Sequence, residues 1–185
     1  MIKAIAFDLG GCLLKENDIE MTSQEEILEK EFGNINFNEE YFSWAKQTLS
    51  LSEWEIKSIL KNVRPKLYSL REEKIFEIIL EKYPQMTFAI ATNHISWIKE
   101  SLEYLWVLEK CKVVLISWDC GCEKPNEPFY QALIEKLWLS TDEILFIDDG
   151  EKNIDGAKKV WLKTLHYNRK ESLSESIFSY LSPIN

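Results

Sequence analysis

Short, nearly unbroken apolar runs recur along the chain, and most of them stop at residues able to carry chemistry. Residues 2–7 (Ile-Lys-Ala-Ile-Ala-Phe) stop at Asp8-Leu9-Gly10-Gly11, residues 87–91 at Thr92-Asn93, and residues 144–147 at Asp148-Asp149. Runs at 113–116 and 163–166 complete the set. Their shortness and lack of helical period predict buried strands. Helical patterns lie between them, at about 69–83 (Ile75, Phe76, Ile79 and Leu80 inward), 96–104, 128–137 and 154–160. Strands apolar on both faces that alternate with helices belong in a parallel sheet covered on both sides. The expected fold is α/β: a Rossmann-like three-layer parallel sheet with a small helical cap inserted after the first strand.

The insertion covers residues 15–68. It is polar, acidic and helical in period, with Ile27, Leu28 and Phe32 on one apolar face and Trp54, Ile56, Ile59 and Leu60 on another. Ser23 and Glu26 have the spacing of a capping box, and Pro65 punctuates the end of the block. The expected division is a catalytic core of residues 1–14 and 69–185 and a cap of residues 15–68. The cap aromatics Tyr41, Phe42, Trp44 and Trp54 are candidates for an entrance lining, with core packing as the commoner use.

A chain of 185 residues, 45% of them hydrophobic, can bury a core without disulfide or metal staples. Its formal net charge of −9 repels nucleic acid and anionic membrane, so neither is expected as a partner. A phosphate site must then be locally electropositive. No apolar run approaches the roughly 20 residues needed to span a bilayer. The first run carries Lys3 and Asp8 with no cleavage-site pattern behind it, which predicts a cytoplasmic protein. Cys12, Cys111, Cys120 and Cys122 lack zinc or Cys-x-x-Cys spacing and are expected as free thiols.

Open parallel sheets bind ligands at the carboxyl ends of their strands. The sequence puts Asp8, Thr92-Asn93, Lys124 and Asp148-Asp149 there. Carboxylates converging from two strands repel unless a cation lies between them or one is protonated. A hard divalent cation such as Mg2+ prefers oxygen donors and tolerates bound phosphate. A hydroxyl, an amide and a lysine suit phosphate oxygens, so the combination points to phosphoryl transfer.

The same residues resemble the haloacid dehalogenase-like hydrolase superfamily. Phe7-Asp8-Leu9-Gly10-Gly11-Cys12-Leu13 is similar to its first motif, Ala89-Ile90-Ala91-Thr92-Asn93 to its second and Lys124-Pro125 to its third. Phe146-Ile147-Asp148-Asp149-Gly150-Glu151-Lys152-Asn153 is similar to its fourth. The branch most similar contains sugar-phosphate phosphatases and the phosphatase domain of soluble epoxide hydrolases. This resemblance implies a Mg2+-dependent phosphatase for a small phosphomonoester, a sugar phosphate or nucleotide, working through an aspartyl-phosphate. It implies Asp8 as nucleophile, Thr92 and the Asn93 backbone as phosphate holders, and Lys124 as the neutralising cation. The metal ligands it implies are Asp8, the Gly10 backbone carbonyl, Asp149 partnered by Asn153, and Asp148 as a neighbouring or water-mediated ligand.

One position departs from the family pattern. The usual general acid, an aspartate two residues after the nucleophile, is Gly10 here. General acid catalysis is worth about 10²–10⁴-fold, so turnover is expected to be slow, least so with good leaving groups. Two other readings stay open: a non-catalytic or weakly active phosphate-binding regulatory protein, and a haloacid dehalogenase. The second is disfavoured by Asp148-Asp149, because dehalogenases need no magnesium. His94 reads as a surface residue at a helix entry, Cys12 as packing, and His166 has no assigned role.

Seven tryptophans against six glycines is an unusual balance. Trp106, Trp118, Trp138 and Trp161 stand where turn physics and the family pattern lead one to expect glycine, at least three of them just after a helix. A bulky residue in the left-handed conformation of that position costs roughly 1–2 kcal/mol. Either a codon meaning glycine in the source organism has been read as tryptophan, or these helices end otherwise and the indoles lie on the surface.

Overall fold

The computed structural model describes residues 1–31, 34, 35 and 37–182. β1 (Ala4–Phe7) runs into a tight loop, and β2 (Leu14–Glu16) leads on to α1 (Ser23–Glu29), α2 (Asn38–Leu49) and α3 (Glu53–Leu67). β3 (Tyr68–Leu70) returns antiparallel to β2. Then come α4 (Ile75–Lys82), β4 (Thr87–Thr92), α5 (Ile98–Tyr104), β5 (Val113–Ile116) and the single turn α6 (Ser117–Cys120). α7 (Glu127–Leu137), β6 (Ile144–Asp148), α8 (Glu151–Lys159), β7 (Lys163–His166) and α9 (Leu173–Leu181) follow.

All five apolar runs join one parallel sheet in the order β5-β4-β1-β6-β7, an α/β, Rossmann-like arrangement. Strand side chains alternate between faces, and here the two faces differ in size. Ile5, Phe7, Phe88, Ile90, Leu145 and Ile147 meet Phe76 and Ile79 of α4, Leu102 of α5 and Ile177 of α9. Ala4, Ala6, Ala89 and Ala91 line the opposite face, where small side chains leave room for the rings of Phe129 and Tyr130 from α7. The sheet centre is thereby filled from both sides.

Helices α1–α3 enclose a separate apolar cluster of Leu28, Tyr41, Phe42, Ala45, Ile56 and Leu60, onto which Ile95 packs from the loop after β4. The Tyr41 hydroxyl is satisfied by donating to the Leu28 carbonyl at 2.7 Å. Tyr41 and Phe42 are thus core residues, and Trp54 and Ile27 are exposed rather than on an inner face. Phe32 lies outside the described residues.

Several boundaries differ from the sequence expectation. The helix predicted from 69 begins at Ile75, because Tyr68–Leu70 pair with the strand leaving the β1 loop. The capping box of α1 is Thr22 with Glu25, one residue earlier than expected. Helix α3 runs past position 65 to Leu67. Helix α9 was not anticipated, although Ser172 and Glu175 form the capping box that announces it.

Trp106, Trp138 and Trp161 have φ of 58°, 58° and 67° and are 68%, 91% and 81% exposed. The N–H groups of Val107 and Leu162 close six-to-one bonds to Leu102 and Ala157 (2.8 and 3.2 Å), the helix-ending pattern that favours glycine. Trp118 departs from the expectation: it sits in α6, half-buried against the core, and the left-handed residue there is Gly121. Replacing Trp106, Trp138 and Trp161 together by glycine is expected to stabilise the protein by about 3 kcal/mol, since distant sites add. For a chain of this size that is a rise of about 6–12 °C in Tm. Trp118→Gly is expected to lower Tm. A triple variant no more stable than the parent in thermal unfolding would show that the strain is absent. Peptide masses from the native source test the codon reading, and tryptophan at all four positions would end it.

Candidate active site

The β1 loop folds back on itself before the chain leaves for β2. The N–H groups of Cys12 and Leu14 donate to the Leu9 carbonyl (3.2 and 2.8 Å), and Leu13 N–H donates to the Asp8 carbonyl. Arg71 Nε and Nη2 tie the loop from outside by donating to the carbonyls of Cys12 and Leu14 (3.0 and 3.4 Å). Asp8 N–H donates to the Ile147 carbonyl at 2.8 Å, so the Asp8 carboxyl is fixed beside the end of β6. Gly11 is required by this turn. Its φ is 74°, and a Cβ there would collide with Arg169 and the Asp149 carboxylate.

Lys124, almost wholly buried, joins the two strand ends. Its Nζ lies 2.6 Å from Asp8 Oδ1 and 2.7 Å from Asp148 Oδ2. Burial alone would lower the lysine pKa, but the charges of Asp8 and Asp148 outweigh it and raise the value. Burial pushes the Asp8 carboxyl up to about 6, with Asp148 adding to the rise and Lys124 opposing it. Two buried acids and one lysine leave a net negative centre. Burying such a group costs stability, and groups of this kind cluster at functional sites.

The acid pair is divided in role. Asp148 is inaccessible to solvent and accepts from Gly150 N–H (2.8 Å) and from Asn153 Nδ2 at both oxygens (3.0 and 3.2 Å). The Asn153 partner expected for Asp149 therefore belongs to Asp148, because the start of α8 turns the amide toward the buried carboxylate. Asp149 is half-exposed and ion-paired with Arg169, whose Nε also donates to the Gly11 carbonyl at 2.9 Å. Even so, Asp8, Asp148 and Asp149 each offer a carboxylate oxygen, all within 4.8 Å of one another. Three hard oxygen donors at that spacing fit a divalent cation.

The other residues proposed from the sequence lie nearby. Thr92, Asn93, Gly10 and Lys124 line one cavity of about 270 Å³ with Asp8 and Asn153. Asn93 acts through its side chain as a clamp. Its Oδ1 accepts from Lys124 N–H (2.8 Å), and its Nδ2 donates to the Lys124 carbonyl (2.9 Å). Tight packing supports the same loop from below, where a Cβ on Gly156 would meet the Pro125 carbonyl at 2.4 Å. A larger cavity of about 480 Å³ lies by Met1, Tyr83 and Met86, away from these residues, and is mainly apolar.

Sequence reasoning missed five wall residues: Leu14, Glu16, Tyr68, His94 and Ile98. His94 is not a surface residue but half-buried in this wall, and burial pushes its pKa down to about 4, so it is neutral at pH 7. Its position directly after Thr92-Asn93 was the available signal. Nothing local marked Glu16 or Tyr68. The four cysteines are free, with Cys12 buried.

Fold and site together define an α/β protein with an acid–lysine–acid centre at the carboxyl edge of its sheet. The family model for haloacid dehalogenase-like hydrolases matches residues 5–166, and the chain belongs to that family. No curated protein matches the sequence. Among solved structures, a family enzyme from Bacteroides thetaiotaomicron in complex with magnesium and inorganic phosphate is 17% identical, with TM-score 0.70 over 95% of this chain and 98% of that one. A phosphatase of the family from Thermococcus onnurineus is 19% identical, with TM-score 0.71 over 92% and 88%. An L-2-haloacid dehalogenase from Xanthobacter autotrophicus is 16% identical, with TM-score 0.64 over 99% and 85%. At these identities the likeness speaks for the fold. Among the described residues, no helix is long and apolar enough to cross a membrane.

Proposed function

We propose that the protein is a magnesium-dependent phosphatase of small phosphomonoesters, with Asp8 as nucleophile. The observation that carries this reading is the Asp8 carboxyl at the cavity floor, within 4.8 Å of two further carboxylates and bound to a buried lysine. Asp8, Asp148, Asp149 and the Gly10 carbonyl would hold Mg2+, which supplies charge neutralisation at the phosphoryl group. Asp8 attacks phosphorus as the bond to the leaving alcohol oxygen breaks, that oxygen taking its proton from solvent; water then cleaves the aspartyl-phosphate, releasing phosphate and restoring the carboxylate. Lys124 orients the Asp8 carboxylate and offsets charge on the transferring phosphoryl oxygens. The Thr92 hydroxyl and the Asn93 backbone receive those oxygens, while the Asn93 side chain keeps Lys124 in place. Residues 15–68 form the cap over this cavity, with the β2–β3 ribbon as its stem. Mg2+ held there would offset the negative charge of the centre and let a phosphate anion approach, and a cavity of about 270 Å³ suits a small monoester such as a sugar phosphate or nucleotide.

The dehalogenase reading has the same nucleophile but no use for a three-carboxylate cluster, which ranks it lower. The regulatory reading draws support from Gly10, which leaves no acid two residues after Asp8. Hydrolysis of an activated aryl phosphate tests all three. Turnover is expected with Mg2+ and is expected to fall at least tenfold in chelator. Binding of a phosphate analogue with Mg2+ but no hydrolysis by folded protein would move the assignment to a regulatory module. Metal-free release of halide from a haloacid would move it to a dehalogenase.

A further inference from the structure

Part of the wall of the cavity that holds Asp8 is built by a two-strand rung. In the β2–β3 ribbon Glu16 pairs directly with Tyr68, and Leu14 with Leu70. Directly opposed residues share a face, and so do residues two apart on one strand. Leu14, Glu16 and Tyr68 accordingly line the same cavity together, while Ser69 between them turns its hydroxyl to Asn17 at 2.7 Å.

The charges of this wall are one-sided. Glu16 is exposed at the rim. The Tyr68 hydroxyl stays protonated, because burial raises its pKa and the charges of Glu29 and Glu16 add to the effect. Glu29, at the end of α1, is itself raised by burial and by Glu16, so all three groups lie in electrostatic reach of one another. His94 and Ile98 add a neutral imidazole and an apolar side chain. Among the described residues lining the cavity, Lys124 is the sole cation, and its ammonium is already taken by Asp8 and Asp148.

We infer that Glu16 and Tyr68 form a leaving-group subsite that accepts phosphomonoesters whose alcohol carries hydrogen-bond donors, hydroxyl or ammonium, and rejects those carrying a second anion. The inference rests on the phosphatase reading above. Glu16 accepts from the donor group, Tyr68 supplies a hydroxyl that can donate or accept, and a carboxylate or second phosphate at this place meets Glu16 without a counter-charge. Discrimination by such repulsion suits a rim charge partly screened by solvent, so about tenfold is expected at low salt.

The test compares kcat/KM of the full chain with Mg2+ on three small monoesters: glycerol phosphate, phosphoethanolamine and phosphoglycerate. The first two are expected to exceed the third about tenfold, with the gap narrowing as salt rises. Glu16→Gln is expected to shrink the ratio and Glu16→Lys to invert it. A ratio measured on one variant is insensitive to partial loss of fold or activity. If Glu16→Gln affects phosphoethanolamine more than glycerol phosphate, the occupant is an ammonium group; if both fall equally, it is a hydroxyl. Aryl phosphate turnover by the wild type with no discrimination, or with a ratio unmoved by Glu16→Lys, overturns the subsite alone. Failure to hydrolyse aryl phosphate at all overturns the phosphatase reading, and the subsite with it.

Discussion

Asp8→Asn is expected to abolish turnover and to leave the metal-free protein more stable than the parent. Loss of a nucleophile removes a covalent step for which the remaining groups have no substitute, so a drop on the order of 10⁴-fold or more is expected in aryl phosphate hydrolysis. The stability change has the opposite sign to that of an ordinary core mutation. The folded carboxyl is held at about 6, above its ordinary 3.8, chiefly by burial. Its favourable contribution is complete below pH 3.8 and is lost as pH rises through 6. Asparagine removes the penalty that ionisation brings at neutral pH, while Lys124 keeps Asp148. Denaturant unfolding in chelator at pH 7 is expected to show a gain of about 2–3 kcal/mol, shrinking to little at pH 4. Protons also compete with the cation for Asp8, so Mg2+ affinity is expected to fall as pH drops below about 6. An inactive variant that is also strongly destabilised would show Asp8 to be structural.

Gly10→Asp is expected to accelerate the enzyme, an unusual result for a substitution in an active site. A Cβ built on Gly10 meets nothing within 4 Å, and the position lines the cavity. Unlike Gly11, whose backbone is left-handed and crowded, Gly10 is free of both constraints. The family's usual proton donor can therefore be restored without moving the loop. Turnover of alkyl phosphates, whose leaving groups need protonation, is expected to rise about 10²–10⁴-fold. Activated aryl phosphates need little protonation and are expected to gain less than about tenfold. Equal gains on both substrate classes would contradict the proton-donor role. No gain on either would mean that another group already supplies the proton.

How far the site could be read from the sequence follows from what each residue depends on. Asp8, Thr92 and Asp148 terminate apolar runs, and once those runs pair in parallel their last residues must share one edge. Lys124 is not on a strand. Its chemistry and the motif resemblance marked it, no strand end did, and the structure accounts for its place through the Asn93 clamp and the close packing at Gly156. The Asp148–Asn153 bond was assigned to the wrong acid, because sequence spacing does not say which carboxylate the first turn of α8 faces. Arg169, which holds Asp149 and Gly11 from 20 and 158 residues away, had no local signature.

By itself the sequence determined the chain order of the five sheet strands and the helices between them, the α/β class, the sheet edge where Asp8, Thr92 and Asp148 meet, and three helix ends that ask for glycine. These depend on local periodicity and on backbone sterics, which act within a few residues. Tertiary structure alone decided the walls of the cavity. The rung of Glu16 and Tyr68 joins residues 52 positions apart through strands only three residues long. Segments that short have too little pattern of their own to announce a strand, and they become strands only where another part of the chain arrives to pair with them.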